Sequence, residues 1–246
     1  TKNKGIDLFR FDKNNQLWLL MDGTLIQYNV SDGQFHIFAG NNGQTYTSFC
    51  IMADNSLWLG DSEGFISLLN PEDGSLESHN LFAHSPATTS RKLSMLSPSP
   101  SSANIYVAFE HDDVKIFNVL SKTYQDLNIQ EKNQLTILIN CFLEKNQKEL
   151  WIGTDSGLFI YDLDLGTCKR IRQDPLDPYA LSSHFVSALF KDREDGVWIC
   201  FHQNGVNYYS PFRPFNVYYP WNETHSLKGE VIRDICTDIY GNIWVG

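Results

Sequence analysis

Tryptophan recurs at Trp18, Trp58, Trp151, Trp198 and Trp244, and this phase restricts the fold more than any other feature of the chain. The spacings are 40, 93, 47 and 46 residues, and Tyr106 divides the long interval into 48 and 45. Each landmark is flanked by aliphatic residues, as in Leu57-Trp58-Leu59, Ile105-Tyr106-Val107 and Leu150-Trp151-Ile152. A mostly small residue follows (Gly60, Ala108, Gly153, Cys200, Gly246; Leu20 is the exception), and then a turn ending at Gly23, Gly64, Gly157 or Gly205. Upstream, Ile6, Phe9 and Asp12 precede Trp18 in the same phase as Val186, Leu189 and Asp192 precede Trp198, and as Ile232, Ile235 and Asp238 precede Trp244. The repeat reads V-x-x-L-x-x-D-x-x-G-x-L-W-I-G-T-x-x-G-L-x-x-Y.

Segments of four to eight β-branched and aromatic residues, bounded by Gly, Asp, Asn and Pro, are strands rather than helices. Four of them per repeat of about 45 residues is the period of a propeller blade. The expected fold is therefore all-β, a β-propeller of four-stranded blades at about 6–38, 46–82, 92–129, 137–173 and 185–219, with a partial blade at 230–246. The whole of 1–246 is expected to be one incomplete propeller, seven-bladed when complete. Thr1-Lys2-Asn3-Lys4-Gly5 leads straight into a strand and Gly246 stands inside a repeat, so the chain is expected to be a piece of a longer protein. In a blade stack the phased residues Trp18, Trp58, Tyr106, Trp151, Trp198 and Trp244 would lie between sheets, where each large aromatic contributes roughly 2 to 3 kcal/mol.

The repeat resembles the two-component regulator propeller repeat. Glu149-Leu150-Trp151-Ile152-Gly153-Thr154-Asp155-Ser156-Gly157-Leu158, Asp238-Ile239-Tyr240-Gly241-Asn242-Ile243-Trp244-Val245-Gly246 and Asp192 to Trp198 carry the likeness best. The connector Pro178-Tyr179-Ala180-Leu181-Ser182-Ser183-His184-Phe185-Val186 is similar to that family's inter-blade loop, as is Pro214-Phe215-Asn216-Val217-Tyr218-Tyr219. The likeness is weaker in the second and third repeats, where Met52 and Ser99 take the Asp position and Tyr106 replaces Trp. The resemblance implies the periplasmic sensor region of a hybrid two-component system, with a membrane helix and histidine kinase in the full protein and oligosaccharides from complex glycans as the signal. It also implies a homodimeric receptor that reaches the membrane only through segments outside this chain.

Composition narrows the remaining classes. Acids number 29 against 19 bases, a formal charge of -10, with no basic stripe for nucleic acid or anionic lipid. No apolar run approaches the roughly 20 residues that span a bilayer, and no signal-peptide pattern is present. Five cysteines at wide spacing, without CxxC, exclude a zinc ribbon or thioredoxin-like motif and read as small buried apolar residues. Seven histidines contain no HxH or HExxH pair, so no metal and no cofactor is expected. Gly60-Asp61-Ser62-Glu63-Gly64 and Gly153-Thr154-Asp155-Ser156-Gly157 recur in phase without a following helix, so they are turns and not phosphate loops. No catalytic residue is assigned. Asp112-Asp113 and Glu194-Asp195 lie at turns, although acids from different blades could converge as a glycosidase pair requires.

Candidate ligand-binding residues are those out of phase with the blades. Trp221 alone breaks the tryptophan repeat and sits with Asn222 and His225 in an inter-blade loop; it suits stacking on a sugar or packing on a neighbouring blade. Tyr179 and His184 occupy the preceding loop, Arg91 precedes the third blade and is the residue to pair with an acidic sugar, and His111 and His202 follow second strands. The function expected is a non-catalytic, periplasmic, ligand-sensing domain. A scaffold for dimerisation and a glycan-cleaving enzyme are the alternatives.

Overall fold

The computed structural model describes residues 5–40, 44–83, 91–110, 114–129, 137–174, 177, 180–203, 205–211, 235–237, 240 and 243–245. Its contacts divide into two units, Thr1–Tyr209 and Ser210–Gly246. The first unit is a β-propeller segment of five antiparallel sheets, and no helix occurs among the described residues. Sheet 1 comprises β1 (Leu8–Phe11), β2 (Gln16–Met21), β3 (Thr24–Asn29) and β4 (Phe35–Phe38). Sheet 2 comprises β5 (Tyr46–Ile51), β6 (Leu57–Asp61), β7 (Phe65–Leu69) and β8 (Leu76–Asn80). Sheet 3 comprises β9 (Leu93–Pro98), β10 (Asn104–Phe109), β11 (Val114–Asn118) and β12 (Thr123–Leu127). Sheet 4 comprises β13 (Ile139–Glu144), β14 (Glu149–Thr154), β15 (Gly157–Asp162) and β16 (Thr167–Ile171). Sheet 5 has three described strands, β17 (Val186–Lys191), β18 (Val197–Phe201) and β19 (Val206–Tyr209); the fourth strand expected by 219 lies outside the described residues. In the second unit β20 (Ile235–Thr237) and β21 (Ile243–Val245) form an antiparallel pair that places Cys236 opposite Trp244.

Strand alternation explains the aliphatic-Trp-aliphatic signature, because successive side chains leave opposite faces of a sheet. Leu57 and Leu59 pack with Trp18, Leu20 and Phe38 of sheet 1, whereas Trp58 between them packs with Leu93, Ile105 and Phe117 of sheet 3. Leu150 and Ile152 face sheet 3 and Trp151 faces sheet 5 in the same way. Trp18, Trp58, Tyr106 and Trp151 are all buried. Trp198 departs from the expectation and is 41% exposed. Its neighbours Val197, Ile199 and Phe201 turn toward Trp151 of sheet 4, so the indole points to the other side of sheet 5, where the first unit has no further sheet. The phase holds, and burial is set by what covers the face. The side chain of Trp244 lies outside the described residues.

The Asp that precedes Trp by six residues is a turn cap and an indole acceptor at once. Asp12 Oδ1 accepts the Asn14 and Gln16 amides, each at 2.9 Å, and Oδ2 accepts Trp18 Nε1 at 3.0 Å. Asp192 repeats the arrangement with Glu194, Gly196 and, at 3.1 Å, Trp198 Nε1. Where Met52 replaces Asp in sheet 2, Ser56 Oγ accepts the Trp58 indole instead. The small residue that follows Trp151-Ile152 is required by the inner strands: a Cβ on Gly153 would stand 2.4 Å from Cys141 Sγ and 2.7 Å from Val186 Cγ1.

Cys50 is buried, whereas Cys141, Cys168 and Cys200 are only partly so. The expectation of buried thiols therefore holds fully for one of the four described, since the other strands keep one face or end near solvent.

Candidate functional site

The first strands of neighbouring sheets lie against one another, so β1, β5, β9, β13 and β17 surround one cavity of about 560 Å³. Each of β5, β9, β13 and β17 carries a β-bulge near its start. Opposite the second strand of its sheet, Thr47 is the extra residue in β5, Ser94 in β9, Asn140 in β13 and Ser187 in β17. A bulge leaves one residue out of the ladder and re-aims its side chain. All four re-aimed residues are polar and line the cavity, and Asp7, just ahead of β1, joins them. The result is a collar of hydroxyl, amide and carboxylate groups at one level of the axis.

Hydrogen bonds hold the collar. Thr47 Oγ1 donates to the Gly60 carbonyl at 3.3 Å and Ser187 Oγ to that of Cys200 at 3.1 Å, carbonyls on the strand beside each bulge. Asn140 Nδ2 donates to the Val186 carbonyl at 2.9 Å and so ties sheet 4 to sheet 5. Asp7 Oδ2 accepts the Asp22 amide at 3.1 Å. Below the collar Ser48 Oγ accepts the Leu96 amide at 3.0 Å, a second tie between sheets.

Two thiols reach this cavity. Burial raises the Cys50 thiol far above its ordinary value, with Arg10 opposing weakly, and burial pushes Cys141 up to about 12. Both remain protonated and poorly nucleophilic at neutral pH. Asp7 is the one carboxylate among the described residues lining the cavity, so a facing pair of acids is absent there. Among the described residues no group of three or more His, Cys, Asp or Glu is gathered to hold a metal. The arrangement offers hydrogen bonds to a polar ligand.

The residues proposed from the sequence are placed as follows. In each sheet of the first unit after the first, the turn following the second strand is hydrogen-bonded to the segment that precedes the first strand, as in Ser62 to Thr45, Glu110 to Lys92 and Asp155 to Leu138. His202 donates its amide to the Phe185 carbonyl at 3.1 Å, and the Phe185 and His202 rings stand 5.1 Å apart. His184 and His202, both exposed, are thus brought to one face. Arg91 precedes β9 by two residues, as His184 precedes β17, and stands beside the Gly64 turn, with its guanidinium over Phe82 at 5.5 Å from the ring centre. Tyr179, Trp221, Asn222, His225 and His111 lie outside the described residues. The collar itself escaped the sequence reading, although its signal is present: Asp7, Thr47, Ser94, Asn140 and Ser187 each directly follow the apolar residue that opens a repeat.

No protein-family model and no curated protein matches the sequence. Solved structures match the fold. The extracellular domain assigned to the hybrid two-component system BT4673 of B. thetaiotaomicron is 18% identical with a TM-score of 0.69, over 97% of this chain and 32% of that one. The corresponding domain of BT3049 from the same organism is 14% identical with a TM-score of 0.56, over 97% of this chain and 38% of that one. The β-propeller domain of Myceliophteria thermophila Cps50 (Swd1) is 14% identical with a TM-score of 0.57, over 82% and 65%. The chain therefore spans about a third of the two-component domains it matches, and the likeness establishes a propeller fold.

Proposed function

We propose that this chain is part of the extracytoplasmic sensing region of a hybrid two-component receptor. It binds a glycan-derived oligosaccharide without cleaving it, and the full receptor carries the signal, as a homodimer in the periplasm, to a histidine kinase. The observation that carries the reading is the axial collar of polar side chains, set by four in-phase bulges, on a fold shared with extracellular domains of two-component systems. Rigid sheets with re-aimed hydrogen-bonding groups suit a ligand rich in hydroxyls. The protonated thiols and the single carboxylate among the described residues of the cavity support a binding role over hydrolysis.

The test is calorimetric titration with a panel of neutral and acidic oligosaccharides, followed by assay of reducing ends. Saturable binding of at least one oligosaccharide, with no new reducing ends released, is expected. Absence of binding across the panel would overturn the sensing role, and release of reducing ends would overturn the non-catalytic one. A dimerisation scaffold is the second reading. It is favoured by the apolar side of sheet 1 turned away from sheet 2, where Phe9, Phe35 and Ile37 are exposed. Sedimentation equilibrium distinguishes it, through a dimer that forms without ligand.

A further inference from the structure

The third repeat departs from the pattern at two positions, Ser99 in place of Asp and Tyr106 in place of Trp, and both departures meet at one side chain. Glu144, at the end of β13 in sheet 4, is 9% exposed. Tyr106 Oη donates to its Oε2 at 2.7 Å, Ser99 Oγ donates to the same oxygen, and Ser101 Oγ donates to Oε1. Every donor is neutral. A carboxylate has about four lone-pair positions, two on each oxygen. Ser99 and Tyr106 occupy those of Oε2, so Oε1, with Ser101 alone, has one acceptor position left.

Glu144 borders a cleft of about 620 Å³ between sheets 3 and 4, each complete with four strands. The cleft between sheets 1 and 2 is its equivalent in the repeat and has about 430 Å³. There Trp18 stands where Tyr106 stands, and Ile51 where Glu144 stands. Exchanging an indole for a smaller phenol and an isoleucine for a carboxylate accompanies the wider and more polar cleft. Its other polar groups are hydroxyls and amides, including Asn104, Thr123, Gln125 and Gln147, together with Asp164 at the rim, while Ile116 and Leu163 add apolar surface. Lysine and arginine are absent from the described lining. Lys148 stands nearby, but its ammonium is 3.1 Å from Asp164 and serves that acid.

We infer that the cleft between sheets 3 and 4 is a binding site for a neutral sugar, with Glu144 Oε1 as the acceptor for a ring hydroxyl. The inference rests on the sensing role proposed above and specifies its ligand class. An ionised acceptor makes a stronger hydrogen bond to a hydroxyl than a neutral one does. The same charge, with no cation in the lining to offset it, repels uronic and sulfated sugars. Amides at the rim supply both donors and acceptors, as a polyol requires.

The experiment titrates the intact chain with neutral cello-, xylo- and manno-oligosaccharides and with oligogalacturonides, comparing wild type with Gln147→Ala, Gln125→Ala and Glu144→Gln. Gln147 and Gln125 are exposed, so their truncation leaves folding intact; thermal melting checks the Glu144 variant. A neutral oligosaccharide should bind wild type, and oligogalacturonides should not. Loss of the charged acceptor in Glu144→Gln should weaken the neutral ligand by roughly tenfold to a hundredfold. Each glutamine variant should weaken it by several-fold. Neutral binding that all three variants leave unchanged would overturn the cleft while sparing the sensing role. Binding of oligogalacturonides alone would overturn the ligand class. Binding of no sugar would overturn the sensing role as well. If Glu144→Gln fails to fold, the two glutamine variants still decide.

Discussion

Replacing Trp58 by alanine tests the blade stack most directly, because complete sheets stand on both sides of it. The indole is 2% exposed, meets Phe117 of sheet 3 edge-on at 5.4 Å, and carries the Lys122 ammonium 4.7 Å from its ring centre. A buried aromatic removes about 200 Å² from water, which at about 25 cal/mol per Å² is roughly 5 kcal/mol for the whole side chain. Alanine keeps a little of this, and the rigid sheets cannot collapse fully on the void, so the expected loss is about 3 to 5 kcal/mol. Trp198 holds the same place in the repeat but is 41% exposed, and solvent fills whatever its removal opens. Its replacement is expected to cost roughly 2 kcal/mol. Urea denaturation followed by far-ultraviolet circular dichroism measures both. Fluorescence would mix the signals of five remaining tryptophans, since the chain has six. Equal losses for the two variants, or a loss below about 1 kcal/mol for Trp58→Ala, would refute the inter-sheet packing derived from strand alternation.

Three further outcomes are expected. Gly153→Ala should destabilise the chain by about 1 to 3 kcal/mol in the same assay, because the new methyl collides with Cys141 and Val186 on two inner strands. Tyr106→Phe should cost about 1 to 2 kcal/mol by withdrawing a donor from the buried Glu144 carboxylate, and a change within error would mean that the two serines suffice. Between neutral pH and about 8.5, where unfolded thiols begin to ionise, these thiols leave stability unchanged; above that it should fall as pH rises, because Cys141, pushed up to about 12, and Cys50, raised further, stay protonated only when folded. The slope approaches about 1.4 kcal/mol per pH unit for each thiol, is best measured below about pH 9.5 before tyrosines contribute, and should drop by half in Cys50→Ala.

Much of the fold is legible in the chain alone. Period, strand segments and turns are local properties: alternation of apolar residues, the Asp that caps its own turn, and glycines at positive φ such as Gly23 and Gly64 are all decided within a dozen residues. One repeating unit of about 45 residues therefore accounts for the nineteen described strands of the first unit. Tertiary structure decided the rest. Trp18 and Trp198 share one local signature, yet only Trp18 is buried, because burial depends on the next sheet and not on the strand itself. The polar collar needs the bulges, which turn Thr47, Ser94, Asn140 and Ser187 out of their ladders, and a bulge is visible only once two strands are paired. Tyr106 replaces the tryptophan of the repeat, and its hydroxyl meets Glu144, 38 residues away on the neighbouring sheet. Contacts within a repeat follow from its pattern, whereas contacts between repeats depend on which side chains two separately specified sheets present to each other.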